Sequence, residues 1–586
     1  MMMMDYGVSA FWRFGVSEGA LPFGSRLNTL AAGMWMPDIE QLSMLAPLWV
    51  LVGTIVAILI TALVVGRNRH AAGGIAVVGG LLTAWMCLFG STWLDGNWAG
   101  MTPDSYAPML VADQFSYFFI FLVSIFLVLI TGMWFLNGEA GLPERLSRRR
   151  DATEFFVLLV GSAFGMSLMV STTNLLMIIL AVEMTSLPSY GLAGFRKKHR
   201  LAAEASLKYI LFGAVTSAIM IYGASLLYGQ YHTLDLAAIG RAIASETAGG
   251  APTVLMGVSL VAFMIGVAFK ISAVPFHFWC PDVFEGASIE ITTWLSVASK
   301  AAGLGLLLRV ISVVAAPLAD PSETLYYVTL VIAIMAAITC TWGNFSAYRQ
   351  TNLKRLLAFS SIAHAGYMLM AVAIIWHPSG AATGQSHPGF SAIIAYVTVY
   401  LLMNLGAFGC VAMVYWATGR EDIGAFNGLA RRSPLIAVTM VVFLFSLVGM
   451  PPLGGFIAKW WLLAALFDGG LVWLVVVAVI NTLISLYYYA RVAYAMCFRD
   501  DGQPAIRASL PGQFAVAACA LAILLVGTLW AGKLKDFSDE RSRDLYAVVE
   551  RPPPVQLTEP SVEATAVLEN NLTQRCRDAK IIEGLP

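Results

Sequence analysis

The recurrence of long apolar runs constrains this chain more than any single motif. From Leu45 onward they fall near 45–66, 73–94, 115–137, 154–171, 174–195, 202–227, 253–285, 289–314, 323–343, 355–376, 390–416, 435–467, 470–497 and 512–532, fourteen in all. A helix rises about 1.5 Å per residue, so about 20 residues cross a hydrocarbon core about 30 Å thick. Inside that core every backbone N–H and C=O needs a partner within the protein, and a continuous apolar run meets that demand as a helix. The fold class is therefore an all-α polytopic membrane protein with about 14 transmembrane helices. Composition agrees, since only 12% of the 586 residues are charged, against about 25% in soluble domains.

The charges inform by place rather than by sum. Lys plus Arg equals Asp plus Glu at 35 each, so net charge selects no partner, and no nucleic-acid partner is expected. One set of alternating loops carries Arg67, Arg69, Arg145, Arg148, Arg149, Arg150, Arg196, Lys197, Lys198, Arg200, Arg349, Lys354, Arg355, Arg420, Arg431, Arg432, Arg499 and Arg507, eighteen cations, while the other set carries Arg241 alone. Cations collect in cytoplasmic loops. The eighteen are expected in the cytoplasm, and both termini on the opposite face, as an even number of spans requires.

Residues 1–44 lack a clean apolar core followed by a small-residue cleavage site, so they read as an N-terminal extension rather than a signal peptide. Residues 533–586 are polar, contain Pro552, Pro553 and Pro554 in a row, and read as an irregular solvent-exposed tail. The seven cysteines stand singly with no CxxC pair, which leaves zinc and iron–sulfur clusters without a ligand set. Neither a GxGxxG nor a P-loop is present, so a nucleotide or flavin has no evident seat. No cofactor and no metal is expected in this chain.

Two spans are too long for one straight crossing and are interrupted by proline. The seventh holds Lys270, Ser272 and Pro275; the twelfth holds Gly449, Pro451, Pro452, Gly454 and Gly455, followed by Lys459. Proline lacks the amide donor that a helix interior needs. Broken helices at membrane depth occur only inside protein or beside a wet cavity. The breaks lie five spans apart, an odd number, so the segments around them run in opposite directions through the membrane. Paired interrupted helices point to inverted repeats around a midplane site, here two five-helix repeats at about 154–314 and 323–497.

Six ionisable residues lie well inside apolar spans: Glu183, Lys208, Lys270, Lys300, His364 and Lys459. A lysine at the centre of a spanning helix costs about 2.5–3.5 kcal/mol on insertion scales. Burial favours the neutral amine, a nearby carboxylate favours the ammonium, and histidine changes charge near neutral pH. One carboxylate, spaced lysines and a histidine therefore suit a proton relay that titrates as a group. Plainer readings stand beside this one. Glu183 with a buried lysine also fits an ion pair that ties helices together, and Lys300 fits a structural pair. Lys208 lies near enough to the cytoplasmic edge to snorkel. His364 fits a satisfied core histidine. Lys270 and Lys459, beside the breaks, fit a structural role least. His277 and His199 read as helix-end or surface residues, and Arg309 and Arg491 as snorkelling cations near helix ends.

Five segments carry a resemblance: EMTSLPSYGLAGF (183–195), AEASLKYILFGAVTSAIMIYGASLLYG (203–229), FKISAVPFHFWCPDVFEGA (269–287), NLKRLLAFSSIAHAGYMLM (352–370) and GMPPLGGFIAKW (449–460). They resemble, in the expected order, the antiporter-like membrane subunits of respiratory complex I, in particular the subunit N type of bacterial NADH-quinone oxidoreductase. The resemblance covers about residues 45–530. SLPSYGLAGF favours type N over type M, and no long amphipathic helix with an extra span follows the fourteenth run, as in type L.

The resemblance implies fourteen helices, with inverted repeats at about helices 4–8 and 9–13, each containing a discontinuous helix. By motif match it puts the family's fifth-helix glutamate at Glu183 and its seventh-, eighth- and twelfth-helix lysines at Lys270, Lys300 and Lys459. Lys208 and His364 match less decisive positions of a central hydrophilic axis. The implied activity is proton translocation across a bacterial inner membrane, driven by NADH-to-quinone electron transfer in other subunits. FMN, the iron–sulfur clusters and quinone are expected in those partners, and subunits K and M are the expected neighbours. The alternatives are a cation/proton antiporter or hydrogenase-type membrane subunit, and a structural membrane scaffold.

Overall fold

The computed structural model describes residues 44–94, 109–136, 152–249, 253–315, 323–375, 388–499, 502, 504–506 and 509–547. The expectations for residues 1–43, for Arg145, Arg148, Arg149, Arg150 and Arg507, and for the prolines from Pro552 to Pro554 lie outside the described residues. Two compact units separate at 1–46 and 47–586. Of the first, only residues 44–46 are described, and the architecture that follows is that of the second.

Among the described residues, thirteen helices are long and apolar enough to cross a membrane, and the interrupted twelfth completes the expected fourteen. They are α1 (Ala46–Val64), α2 (Arg69–Leu94), α3 (Gln114–Leu136), α4 (Ala152–Ser171), α5 (Leu175–Ala193), α6 (Arg200–Tyr231), α7a (Val254–Ile271) with α7b (Trp279–Gly286), α8 (Ile289–Val314), α9 (Glu323–Ala347), α10 (Leu353–Ile374), α11 (Pro388–Thr418), α12a (Pro434–Val448) with α12b (Gly454–Asp468), α13 (Val472–Phe498) and α14 (Leu510–Thr528).

In a membrane protein apolarity does not separate the lipid face from the core, because both are apolar. Burial does. α8 and α10 are buried along their whole length, and α11 along most of its own, whereas α1 and α14 face mainly outward. These three helices form the axis around which the others pack. Close approach of backbones is what tightens helix pairs in lipid, and it needs small residues. A Cβ on Gly165 of α4 would lie 2.5 Å from the Thr185 amide of α5, and one on Gly343 of α9 would lie 2.6 Å from the Ala363 amide of α10. α4·α5 and α9·α10 are corresponding pairs in the two five-helix sets, and each closes on a glycine of its first helix.

The two breaks share a construction. α7a ends in Ser272 at φ +64, and α12a ends in Gly449 at φ +88. In both, the next amide turns back onto the last helical turn: Ala273 donates to the Ala268 carbonyl at 2.9 Å, and Met450 donates to that of Phe445 at 3.0 Å. A left-handed residue after the last turn is a common way to stop a helix. Proline follows in each, at Pro275 and at Pro451 and Pro452, so neither chain can resume its helix at once. α12b then starts hard against α12a, since a Cβ on Gly455 would lie 1.8 Å from the Ser446 carbonyl oxygen.

Two expectations are corrected. Arg309 does not snorkel; it is completely buried between α8, α3 and α4. Its guanidinium takes both Asp113 carboxylate oxygens, one of them at 2.7 Å, and also donates to Ser116 Oγ at 2.8 Å and to the Val170 carbonyl at 3.1 Å. Asp113 in turn accepts the Ser116 amide at 2.8 Å and so caps the start of α3. Helix-end position says nothing about direction, and here the side chain turns inward to a carboxylate.

The tail is also not irregular throughout. Residues Ala531–Ala547 form a helix, α15, that packs on α3 and α11. Phe537 meets Phe118 edge-on with ring centroids 5.7 Å apart, Ser538 and Ser542 are buried, and Ser391 donates to Asp539. The segment is polar on average, which hides a contact stripe at Leu534, Phe537, Ser538, Arg541 and Ser542 spaced three and four residues apart.

Removing one partner of a buried ion pair leaves the other charge uncompensated, at a cost of about 3–5 kcal/mol, whereas replacing both is often neutral. Arg309→Met is therefore expected to lower the thermal stability of the detergent-solubilised protein strongly. The double change Arg309→Met with Asp113→Leu is expected to recover most of the loss in the same melting assay.

Candidate functional site

Five of the six ionisable side chains lie in the packed interior, whereas Lys208 is half-exposed at the side of α6; they do not meet as one ion cluster. Glu183 sits on α5, whose start is capped by Asn174 accepting the Leu176 and Met177 amides. Its residue is half-buried, and its Oε1 is buried without a hydrogen-bond partner. Lys270 occupies the last turn of α7a, wholly buried, and its Nζ likewise has no hydrogen-bond partner. The two are not joined directly; Glu183 acts on Lys270 across a gap as a neighbouring charge.

Lys300 follows a π-helical turn, Leu295–Ser299, in the middle of α8. Single π turns recur at functional positions because they rotate the following residues relative to the helix face. Here Lys300 is buried, donates to Ser361 Oγ of α10 at 2.6 Å, and lies 5.9 Å from the centre of the Phe284 ring. His364 is one turn further along α10, also buried, with Nδ1 at 2.8 Å from the Tyr396 hydroxyl and its ring against Tyr400. Lys459 on α12b donates to the Val448 carbonyl at 2.9 Å and sits 4.4 Å over the Tyr367 ring. Val448 ends α12a, so the break frees a helix-terminal carbonyl, and the aromatic face adds a cation–π contact.

Lys208 stands apart. It pairs with Glu204 and Asp282, both at 2.7 Å, and Asp282 and Glu285 of α7b both accept from Arg355 of α10, at 2.7 and 2.6 Å. This network joins α6, α7b and α10 where the cation-rich loops enter. Sequence reasoning missed Asp282, Glu285 and Arg355 as a unit. The available signal was two acids three residues apart on a short half-helix, a spacing that puts them on one face. Lys354, counted above among the loop cations, is fully buried. It pairs with Glu421 at 2.8 Å and donates to the Ala287 carbonyl at 2.9 Å.

Two histidines and an arginine need restating. His199 is exposed, as expected. His277 is not at the surface: it is buried within the α7 break, with Nδ1 unpartnered and its ring against Phe278 and Trp342. Arg491 does not reach outward either; it donates to the Tyr348 carbonyl at 2.8 Å and to that of Gln350, just past the end of α9.

The cations thus divide in two. The buried Arg309 and Lys354 and the half-exposed Lys208 are matched by carboxylates. Lys300 and Lys459 are held by neutral oxygens, and Lys270 by none. A cation held only by neutral groups is free to give up its proton without leaving a partner charge stranded.

Comparisons with known proteins bear on this arrangement. Residues 172–485, which span all six side chains, match the family described as "NADH:quinone oxidoreductase/Mrp antiporter, TM". A protein of Anaeromyxobacter sp. (strain Fw109-5) described as NADH-quinone oxidoreductase subunit N is 40% identical over 455 residues, covering 73% of this chain and 84% of that one. Among solved structures, a chain of respiratory complex I from Thermus thermophilus is 28% identical with a TM-score of 0.65, covering 84% of this chain and 98% of that chain. A chain of the Mrp complex from Dietzia sp. DQ12-45-1b is 20% identical with a TM-score of 0.71, over 90% of this chain and 99% of that chain, which is a likeness of fold.

The α6·α7b·α10 network makes one forecast. Asp282 joins two cations and Glu285 one. Asp282→Asn is expected to raise amide hydrogen exchange across α7b more than Glu285→Gln does, read by mass spectrometry of the intact protein.

Proposed function

The chain belongs to the NADH:quinone oxidoreductase/Mrp antiporter membrane family, and on that basis we propose that it is the proton-translocating, subunit N-type membrane component of a bacterial NADH-quinone oxidoreductase. It is a multi-pass membrane protein. In this reading it is a subunit of a translocase rather than a redox enzyme in itself. NADH, FMN, the iron–sulfur clusters and quinone belong to other subunits, and K- and M-type subunits are its neighbours. The loop cations face the cytoplasm and both termini the other side.

The observation that carries the reading is the contrast among buried cations. A scaffold would match its buried charges, as Arg309 is matched by Asp113 and Lys354 by Glu421. Among the described residues, Lys270, Lys300 and Lys459 have no carboxylate at bonding distance. An ammonium beside a carboxylate holds its proton, and one left alone in a desolvated site releases it. Electron transfer in partner subunits shifts charge along the membrane axis and moves Glu183 relative to Lys270. Protons then pass by Lys300 and His364 towards Lys459. One charge crossing 100 mV requires about 2.3 kcal/mol, so each step must be biased by its neighbour. The Lys208 network is structural in this scheme and holds α7b while the relay works.

Complexes carrying Lys270→Met or Lys459→Met that still assemble are expected to lose most NADH-driven proton uptake into membrane vesicles, while Lys208→Met loses much less. Undiminished pumping in both of the first two variants would overturn the relay. Pumping that follows sodium rather than proton concentration would favour the antiporter reading instead.

A further inference from the structure

Between Glu183 and Lys300 lie three buried hydroxyls that the relay does not use. Tyr190 on α5, Tyr209 on α6 and Ser299 on α8 are each more than nine-tenths buried, and each oxygen lacks a hydrogen-bond partner. Leaving a buried hydroxyl unpaired forfeits its hydrogen bonds to water with nothing in return. A packed core avoids that cost by using phenylalanine or alanine. Three such groups on neighbouring helices therefore ask for a reason beyond packing.

Their placement is specific. Tyr190 follows Glu183 by seven residues, two turns, so both lie on one face of α5. Helical side chains lean towards the N-terminus, which carries the Tyr190 hydroxyl back towards Glu183, the carboxylate whose charge it feels. α6 opens a slot to receive it: a Cβ on Gly213 would lie 1.8 Å from that hydroxyl oxygen. The Tyr190 ring meets the Tyr209 ring edge-on at 4.7 Å, and Tyr209 stacks flat on Trp279 at 4.4 Å and 9°. Trp279 opens α7b and donates through Nε1 to the Phe269 carbonyl, one residue before Lys270, at 3.1 Å. The break of α7 thereby fixes the Tyr209 ring, whose hydroxyl neighbours Ser299 without a hydrogen bond to it. Ser299 adjoins Lys300.

We propose that Tyr190, Tyr209 and Ser299 form a hydroxyl bridge, completed by water, that carries protons between Glu183 and Lys300 beside Lys270; the inference rests on the relay reading above. A buried water takes hydrogen bonds from two to four polar groups, and these three oxygens supply them. In one passage the Glu183 carboxyl loses a proton to the first water. Each hydroxyl accepts one proton and donates its own, and the Lys300 amine gains one. No electron moves and each tyrosine ends neutral. Because the bridge does not cross Lys270, that lysine acts on it as a movable charge rather than as an obligatory carrier.

The test uses the assembled complex in membrane vesicles. Tyr190→Phe with Tyr209→Phe keeps both rings and removes both hydroxyls. The double variant is expected to lower proton uptake several-fold and to change its solvent deuterium isotope effect, with subunit composition and melting temperature as in the unaltered complex. Gly213→Ala, which displaces the Tyr190 hydroxyl, is expected to lower uptake alike, and adding Tyr190→Phe to it should change nothing further. Unaltered uptake and isotope effect in the double variant would overturn the bridge. So would a loss of uptake matched by an equal loss of melting temperature. Lys270→Met and Lys459→Met, run alongside, separate the two readings: if they fail to pump while the tyrosine variant pumps normally, only the bridge falls, and if both pump normally the relay itself falls.

Discussion

Everything in this structure answers to the difficulty of keeping a cation in hydrocarbon. An uncompensated charge at the bilayer centre is disfavoured by several kcal/mol at least, so each buried Lys or Arg must either find a carboxylate or be given another reason to stay. The described residues show both solutions in one molecule. Arg309 sits in a cage of Asp113, Ser116 and the Val170 carbonyl, and Lys354 sits against Glu421. These are closed sites, fixed by geometry. Lys270, Lys300 and Lys459 are buried in the same interior without that closure. Such a division is what separates struts from carriers, since a strut gains nothing from a reversible charge and a carrier cannot work without one.

The broken helices follow from the same difficulty. An unbroken helix spends all its carbonyls on itself and offers a buried ammonium nothing. Breaking α12 exposes the Val448 carbonyl to Lys459. Breaking α7 leaves Ser272 in the left-handed region with its hydroxyl unpartnered, and places His277 and Trp279 in the interior. The backbone is thus made polar only where it is enclosed by protein, as lipid requires. The aromatic stack of Tyr209 on Trp279 then locks the rebuilt segment to α6.

Much of this was legible in sequence, because hydropathy and proline are local signals. The number of spans, the two interruptions and the presence of Lys270, Lys300, His364 and Lys459 in the interior all follow from runs of residues read in order. What stayed hidden depends on contacts between distant residues. Arg309 and Asp113 are separated by most of the first five-helix set, and nothing near either one announces the other. Asp282 and Glu285 find Arg355 only once α7b packs on α10. Lys354 reads as one more loop cation until α10 is buried around it. α15 was concealed for another reason: a half-polar contact stripe averages to a polar segment, and only its spacing marks a helix.

The two lysines beside the breaks are not equivalent, and the difference bears on direction. Lys459 follows its break and finds both a freed carbonyl and the Tyr367 ring. Lys270 precedes its break, where the Ala268 and Phe269 carbonyls of the last turn are taken by the Ser272 and Ala273 amides and the Trp279 indole, and finds neither. Inverted repeats of the same construction therefore present a cation with no partner at one end of the axis and with two at the other. Between them lie Lys300 on a serine hydroxyl and His364 on a tyrosine hydroxyl, partners that can donate or accept. A symmetric pair of sites would pass a proton equally well both ways. In the proposed relay, uneven partners at the ends, joined by groups that serve in either role, would let a small charge displacement near Glu183 tip the series in one direction.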